Sequence, residues 1–254
     1  MTDEQQAPHA IAHCGSVSAL TLGLPATTAI PEAKSRLPKA MFVGRAQISA
    51  KLRQRLTSDI ESITMLALLR ASNTALASGT RVPEILVIGL RLAPKATTVP
   101  SEVIDLIAAQ RKSGIVFAVV REATHAGESR EECAIAVRRA LPGRAGHLPV
   151  HEVFADEWRP AGEARLDTDA VAKSGTDASV DDLWSSLCAQ VILGTTDGTD
   201  LDARIVRRAQ IGQLEMTIDK LARDHQRAKD ADQRNEIFAK LHKARQQLEE
   251  LRAQ

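Results

Sequence analysis

The residues whose types and spacing could do chemistry lie mostly in one basic stretch. Between positions 32 and 55 the ionisable residues are Glu32, Lys34, Arg36, Lys39, Arg45, Lys51, Arg53 and Arg55, and only one is acidic. Cations in such a run can track a phosphate backbone and release its condensed counterions. The seven basic residues are therefore the candidate nucleic-acid-binding set. The plainer reading is a solvated helix face paired with acidic residues elsewhere. A metal-dependent nuclease would need an acidic residue at one strand end and a Glu-x-Lys pair on the next, to hold a divalent ion and orient water. Glu32-Ala33-Lys34 has that spelling but lies among prolines, and no strand carries the pair. His9, His13 and Cys14 have ligand spacing, but in what reads as a tail. Asp167-x-Asp169 opens like a calcium loop and lacks its glycine and closing glutamate. Gly194 to Gly198 is glycine-bearing with no following Gly-Lys-Ser/Thr, so it is no phosphate cradle. His151 reads as a half-exposed strand residue and not a base. No catalytic residue, metal ligand or cofactor is assigned.

The bulk composition narrows the partners. The 254 residues carry a net charge of +1, so any attraction to nucleic acid must come from a local patch. Aromatic residues are 2% of the chain, with no Tyr, which leaves few platforms for stacking single-stranded bases. Cys14, Cys133 and Cys188 are far apart and odd in number, which points to a reducing cytoplasm and no disulfide framework. No hydrophobic leader opens the chain, and no run approaches the ~20 apolar residues of a membrane span.

The elements that must position these residues read as one mixed α/β domain over 19–193. A disordered tail over 1–18 precedes it, and a linker over 194–200 follows. Pro25, Pro31 and Pro38 make 20–42 an extended segment laid over the domain surface. Ile48, Leu52 and Leu56 predict an amphipathic helix from Gln47 to Asp59. Glu61 to Leu69 reads as a strand, and the apolar run Glu84 to Ala93 as a second. A helix capped by Ser101 and a third strand from Gly114 to Val120 complete a βαβ unit with parallel strands. After a polar loop, Thr124 to Ser129, alternation at Cys133, Ile135 and Val137 predicts a half-buried strand. It pairs antiparallel with Leu148 to Ala155. Trp158 then either anchors a partner or covers the sheet edge. A loose acidic loop from Asp167 leads to Ser179 and Asp182, a capping-box start for a core-facing helix through Val191.

The C-terminal end, 201–254, has the strongest pattern. Ile211, Leu214, Ile218 and Leu221 follow the three-and-four spacing of a coiled-coil seam. Ile237, Leu241, Ala244, Leu248 and Leu251 resume it in another phase. Polar residues from His225 to Arg234 separate the two runs. The expectation is a helical hairpin or coiled coil whose seams fold back on each other or onto a partner. These seam residues, with Trp158, are the candidate partner-binding set.

The order of elements resembles an uncharacterised bacterial and archaeal domain-of-unknown-function family. The resemblance rests on Gly23-Leu24-Pro25, on Arg36, Pro38, Lys39 and Phe42, on the strand Glu84 to Leu90, on Asp156-Glu157-Trp158, and on the charged coiled-coil tail. It covers almost the whole chain and departs in the hairpin turn and the tail. The family resembles genes found beside helicases and DNA methyltransferases. That implies an accessory, non-catalytic protein of a bacterial DNA-processing or phage-defence complex, docking a helicase-type partner or a second copy. A degenerate metal-dependent nuclease and a structural homodimer are the alternatives.

Overall fold

The computed structural model describes residues 10–44, 48–125, 127–141, 149–172 and 178–253. The chain divides into two compact units, Met1–Thr199 and Asp200–Gln254. The first unit runs β1 (His13–Cys14), β2 (Val17–Ser18), α1 (Ala40–Val43), α2 (Ala50–Ser58), β3 (Ile60–Leu69), α3 (Ala71–Thr74), β4 (Ile85–Leu92), α4 (Ser101–Ala108), β5 (Gly114–His125), β6 (Glu128–Leu141), β7 (Val150–Ala155), β8 (Arg159–Pro160), α5 (Asp169–Ala172) and α6 (Val180–Leu193). The second contains α7 (Leu201–Arg227) and α8 (Ala231–Ala253).

The main sheet has the order β3-β4-β5-β6-β7, with β8 beside β6. β4 and β5 are parallel, as a strand–helix–strand crossover requires, and the other neighbours are antiparallel. On one face of the sheet Ile88 and Leu90 of β4 and Phe117 and Val119 of β5 pack with Leu56 of α2 and Val103, Ile104 and Ile107 of α4. On the other face Cys14 of β1 lies against Gly89, and the Trp184 ring of α6 lies against Gly114. Both glycines are required by that approach, since a Cβ at either would overlap the covering side chain. Covering on both faces explains why β4 and the inner half of β5 read as unbroken apolar runs.

Several expectations change. Residues 10–18 depart from the disordered tail expected over 1–18: β1 and β2 pair, and Cys14, Val17 and Ser18 are buried. The rest of that tail, 1–9 with His9, lies outside the described residues. The proline-bearing segment does more than cover a surface. Ile30 N–H donates to Leu66 O (3.1 Å), Leu37 N–H to Ile63 O (2.9 Å), and Met65 N–H to Ser35 O (2.7 Å). These bonds occupy the outer edge of β3, which would otherwise be open to pairing. The expected polar loop at Thr124 to Ser129 is instead a tight turn: β5 runs to His125, β6 starts at Glu128, and Gly127 has φ +89°. β6 is buried on both faces from Cys133 to Val137, not half-buried, because α6 and α4 pack on opposite sides. Ser101 is the first helical residue of α4 and not its cap. Helix α2 starts at Ala50, where Ser49 Oγ accepts the Leu52 N–H.

The loop before β4 is locked to α6. Asp181 accepts from Thr80 N–H and Oγ1–H (both 2.9 Å), Arg81 N–H (3.1 Å) and Val82 N–H (2.8 Å). Burial pushes this carboxyl up, but those donors outweigh it and hold it at about 2. The reciprocal capping box of Ser179 and Asp182 forms as expected and starts α6 beside it.

Candidate interaction site

The second unit is an antiparallel helical pair. Arg252 near the end of α8 bonds Glu215 in the middle of α7 at 2.7 Å. At the other end the His225 and Phe238 rings lie 5.9 Å apart. The expected phase slip is a physical break. Ala228 is extended (φ −63°, ψ 120°) and ends α7. Asp230 then accepts the Gln233 N–H at 2.9 Å, and the Arg234 guanidinium donates to Ala228 O at 2.8 Å. The polar residues that interrupt the repeat thus make the turn and the cap of the next helix.

Two helices cannot enclose their own apolar stripes. Leu241 and Ala244 are buried. Ile211, Leu214, Ile218, Leu221, Ile237, Leu248 and Leu251 are only half-buried. Met216 and Phe238 stand 68% and 55% exposed. Exposed apolar surface of this kind on helices marks a place where another surface can bind.

The basic segment is dispersed by the fold. Lys34 lies on a single 3₁₀ turn (Glu32–Lys34), and Arg36 is exposed beside β3. Lys39 is taken up in the structure: its ammonium donates to Thr57 O at 3.1 Å and to Ile60 O. Lys51 and Arg53 are exposed on α2, whereas Arg55 pairs with Glu102 of α4 at 2.9 Å. Arg45 lies outside the described residues. Lys34, Arg36, Lys51 and Arg53 are therefore the cations of the set that the fold leaves exposed. Glu32 and Lys34 of the nuclease-like spelling share the one turn, and His151 is exposed on β7. Among the described residues no group of three or more His, Cys, Asp or Glu could hold a metal ion.

The structure also assembles charges that a scan for motifs passes over. Where β4 ends, Arg91 is only 15% exposed; it bonds Glu131 and Glu122 (2.8 Å to the latter) and lies 3.9 Å from Glu61. Glu122 and Glu131 face each other directly across β5 and β6, so Arg91 neutralises a pair that would otherwise repel. Burial pushes the Glu131 carboxyl up, but hydrogen bonds from Ser16 and Arg91 outweigh it and lower it below the usual range. On the opposite face, Glu132 is 8% exposed and held ionised first by Arg130 (2.8 Å) and then by Arg121 (2.9 Å). The Arg121 guanidinium lies 4.0 Å over the Trp158 ring and donates to Thr97 O. Trp158 is thus half-buried and packed against the core, and its ring is taken by Arg121. The readable sequence signal was Arg91, the one charge inside the apolar strand β4, since a buried charge needs a partner. Above Arg121, the β4–α4 loop walls a cleft of about 440 Å³ that includes Arg55, Asp59, Lys95 and Glu102, two charges of each sign.

A family model described as a domain of unknown function, DUF4391, matches residues 22–248. The chain belongs to this family. The match takes in the whole main sheet but not the β1–β2 strap, and nearly all of the helical pair, so parts of both units belong to the DUF4391 domain. No curated protein and no solved structure matches the chain. No helix among the described residues is long and apolar enough to cross a membrane.

Proposed function

We propose that this DUF4391 protein is a non-catalytic, cytoplasmic accessory subunit of a bacterial DNA-processing or phage-defence complex. Its α7–α8 pair docks a helicase-type partner. The observation that carries this reading is the apolar stripe left half-exposed on the pair, with Met216 and Phe238 mostly exposed. Such residues gain by burial about 25 cal/mol per Å² of apolar area removed from water, and large flexible side chains adapt to a partner groove. The exposed cations Lys34, Arg36, Lys51 and Arg53 would steady nucleic acid held by the partner. The helicase-type identity rests on the gene context that the family resemblance implies.

The test is co-purification of the tagged full chain with a helicase encoded beside it. Met216→Glu combined with Phe238→Glu changes two exposed positions, and circular-dichroism helicity checks that the helical pair stays folded. Partner recovery should fall at least tenfold. Undiminished recovery would remove the hairpin from the interface, and no complex at all with the unaltered chain would remove the helicase.

A further inference from the structure

We infer that the α7–α8 pair also binds a second copy of this chain, through a groove on one flank of the two helices. The groove shares Leu214 and Leu251 with the apolar stripe of the docking reading, but its polar walls lie apart from Met216 and Phe238, the two positions changed to test that reading. The groove encloses about 440 Å³. Leu214 of α7 and Leu251 of α8 supply its apolar part. Gln210, Gln213 and Thr217 form one wall and Gln247 the other, and Glu250 is the one charge in the lining.

The groove wall on α7 is part of a longer pattern. Val206, Gln210, Gln213 and Thr217 are spaced four, three and four residues apart, and all four are exposed. That is the spacing of a coiled-coil seam, so α7 carries a second stripe beside the apolar one. Over three turns this stripe is uncharged. Most of the other exposed positions of α7 carry charge, among them Arg208, Glu215, Asp219, Lys220, Arg223 and Arg227. The uncharged stripe is therefore a local exception on a charged helix.

The chemistry selects the occupant. A nucleic acid would need Lys or Arg in the lining, and there is none. A strongly basic peptide would find only Glu250 as a counter-charge, and a strongly acidic one would meet none and a like charge instead. A glutamine amide both donates and accepts, so a wall of glutamines is complementary to the same wall in another copy. A two-fold contact uses one patch twice and needs just this self-complementarity. Pairing two hairpins gives a four-helix arrangement in which Leu214 and Leu251 of each copy lose water and polar seam residues set the register.

The experiment is light scattering on the full-length chain across a dilution series. The unaltered chain should have twice the mass of one copy at ~100 μM and dissociate on dilution. Gln213→Glu with Gln247→Glu places like charges across the two-fold axis and should weaken the dimer at least tenfold, with circular-dichroism helicity unchanged. Gln213→Lys with Gln247→Lys should do the same alone. An equimolar mixture of the two variants should restore the dimer, which a merely unfolded variant could not do. A monomeric unaltered chain at ~100 μM, or variants that dimerise like it, overturns the proposal. Helicase recovery by the glutamate variant reports separately on the docking reading, which predicts it unchanged.

Discussion

Asp181→Asn should destabilise the sheet unit by an amount that depends on pH in a defined direction. The Asp181 side chain is 12% exposed and its carboxylate collects the N–H groups of Thr80, Arg81 and Val82 and the Thr80 hydroxyl. Gly79 makes the turn possible, since a Cβ there would overlap Val82 O. The folded carboxyl is held at about 2 against an ordinary 3.8. A depressed carboxyl stabilises the fold above its unfolded value and loses that contribution as pH falls toward the folded one. The difference corresponds to about 2 kcal/mol, fully present at neutral pH, about half of it gone near pH 3. Asparagine cannot ionise, and one of its two terminal groups is a donor facing other donors. The substitution should therefore cost about 2–3 kcal/mol at pH 7 and about 1 kcal/mol less at pH 3. Urea unfolding followed by tryptophan fluorescence reads the correct unit, because Trp158 and Trp184 both lie before Thr199. The variant-minus-parent difference cancels the other titrating carboxylates. An equal cost at the two pH values, or a cost below about 0.5 kcal/mol at pH 7, would refute the lock.

Two further outcomes follow from the sheet. Arg91→Met strands Glu122 opposite Glu131 and should cost about 1–3 kcal/mol in the same urea assay, since Glu122 is largely exposed, with part of the loss recovered by adding Glu131→Gln. If the second change gives no recovery, repulsion is not the cause. Cys14 is buried and its thiol is pushed up to about 12, first by burial, so it should resist a thiol reagent at pH 8. Gly89→Ala drives a methyl into Cys14, displaces the β1–β2 strap, and should raise Cys14 labelling at least tenfold; an unchanged labelling rate would mean the strap is not held by that contact.

The element types were legible where one local pattern dominated. The run Glu84 to Ala93 read as a strand from its continuous apolar character, and the phase slip after Leu221 favoured two short helices over one rod; the structure has a strand there and a break at Ala228 to Asp230. The candidate sets were less legible. The basic run is contiguous in sequence, but α2 packing on α4 pairs Arg55 with Glu102, and Lys39 turns inward to Thr57 and Ile60. Trp158 offered two roles, and Arg121, thirty-seven positions earlier in the chain, decides what its ring touches. The strap over 10–18 left no readable signal because β1 and β2 are two residues each, too short for any periodicity.

Local pattern was enough to specify the mixed α/β unit, the parallel β4–α4–β5 core and the terminal helices, though not that those helices pair with each other, because side-chain periodicity and helix capping act within a few residues. Which charges are spent inside the fold and which face outward was settled at the tertiary level alone. Arg91, Arg121 and Asp181 meet partners 40, 11 and 101 residues away. Those meetings depend on strand register and on which face a strap or helix covers, and no local pattern encodes either.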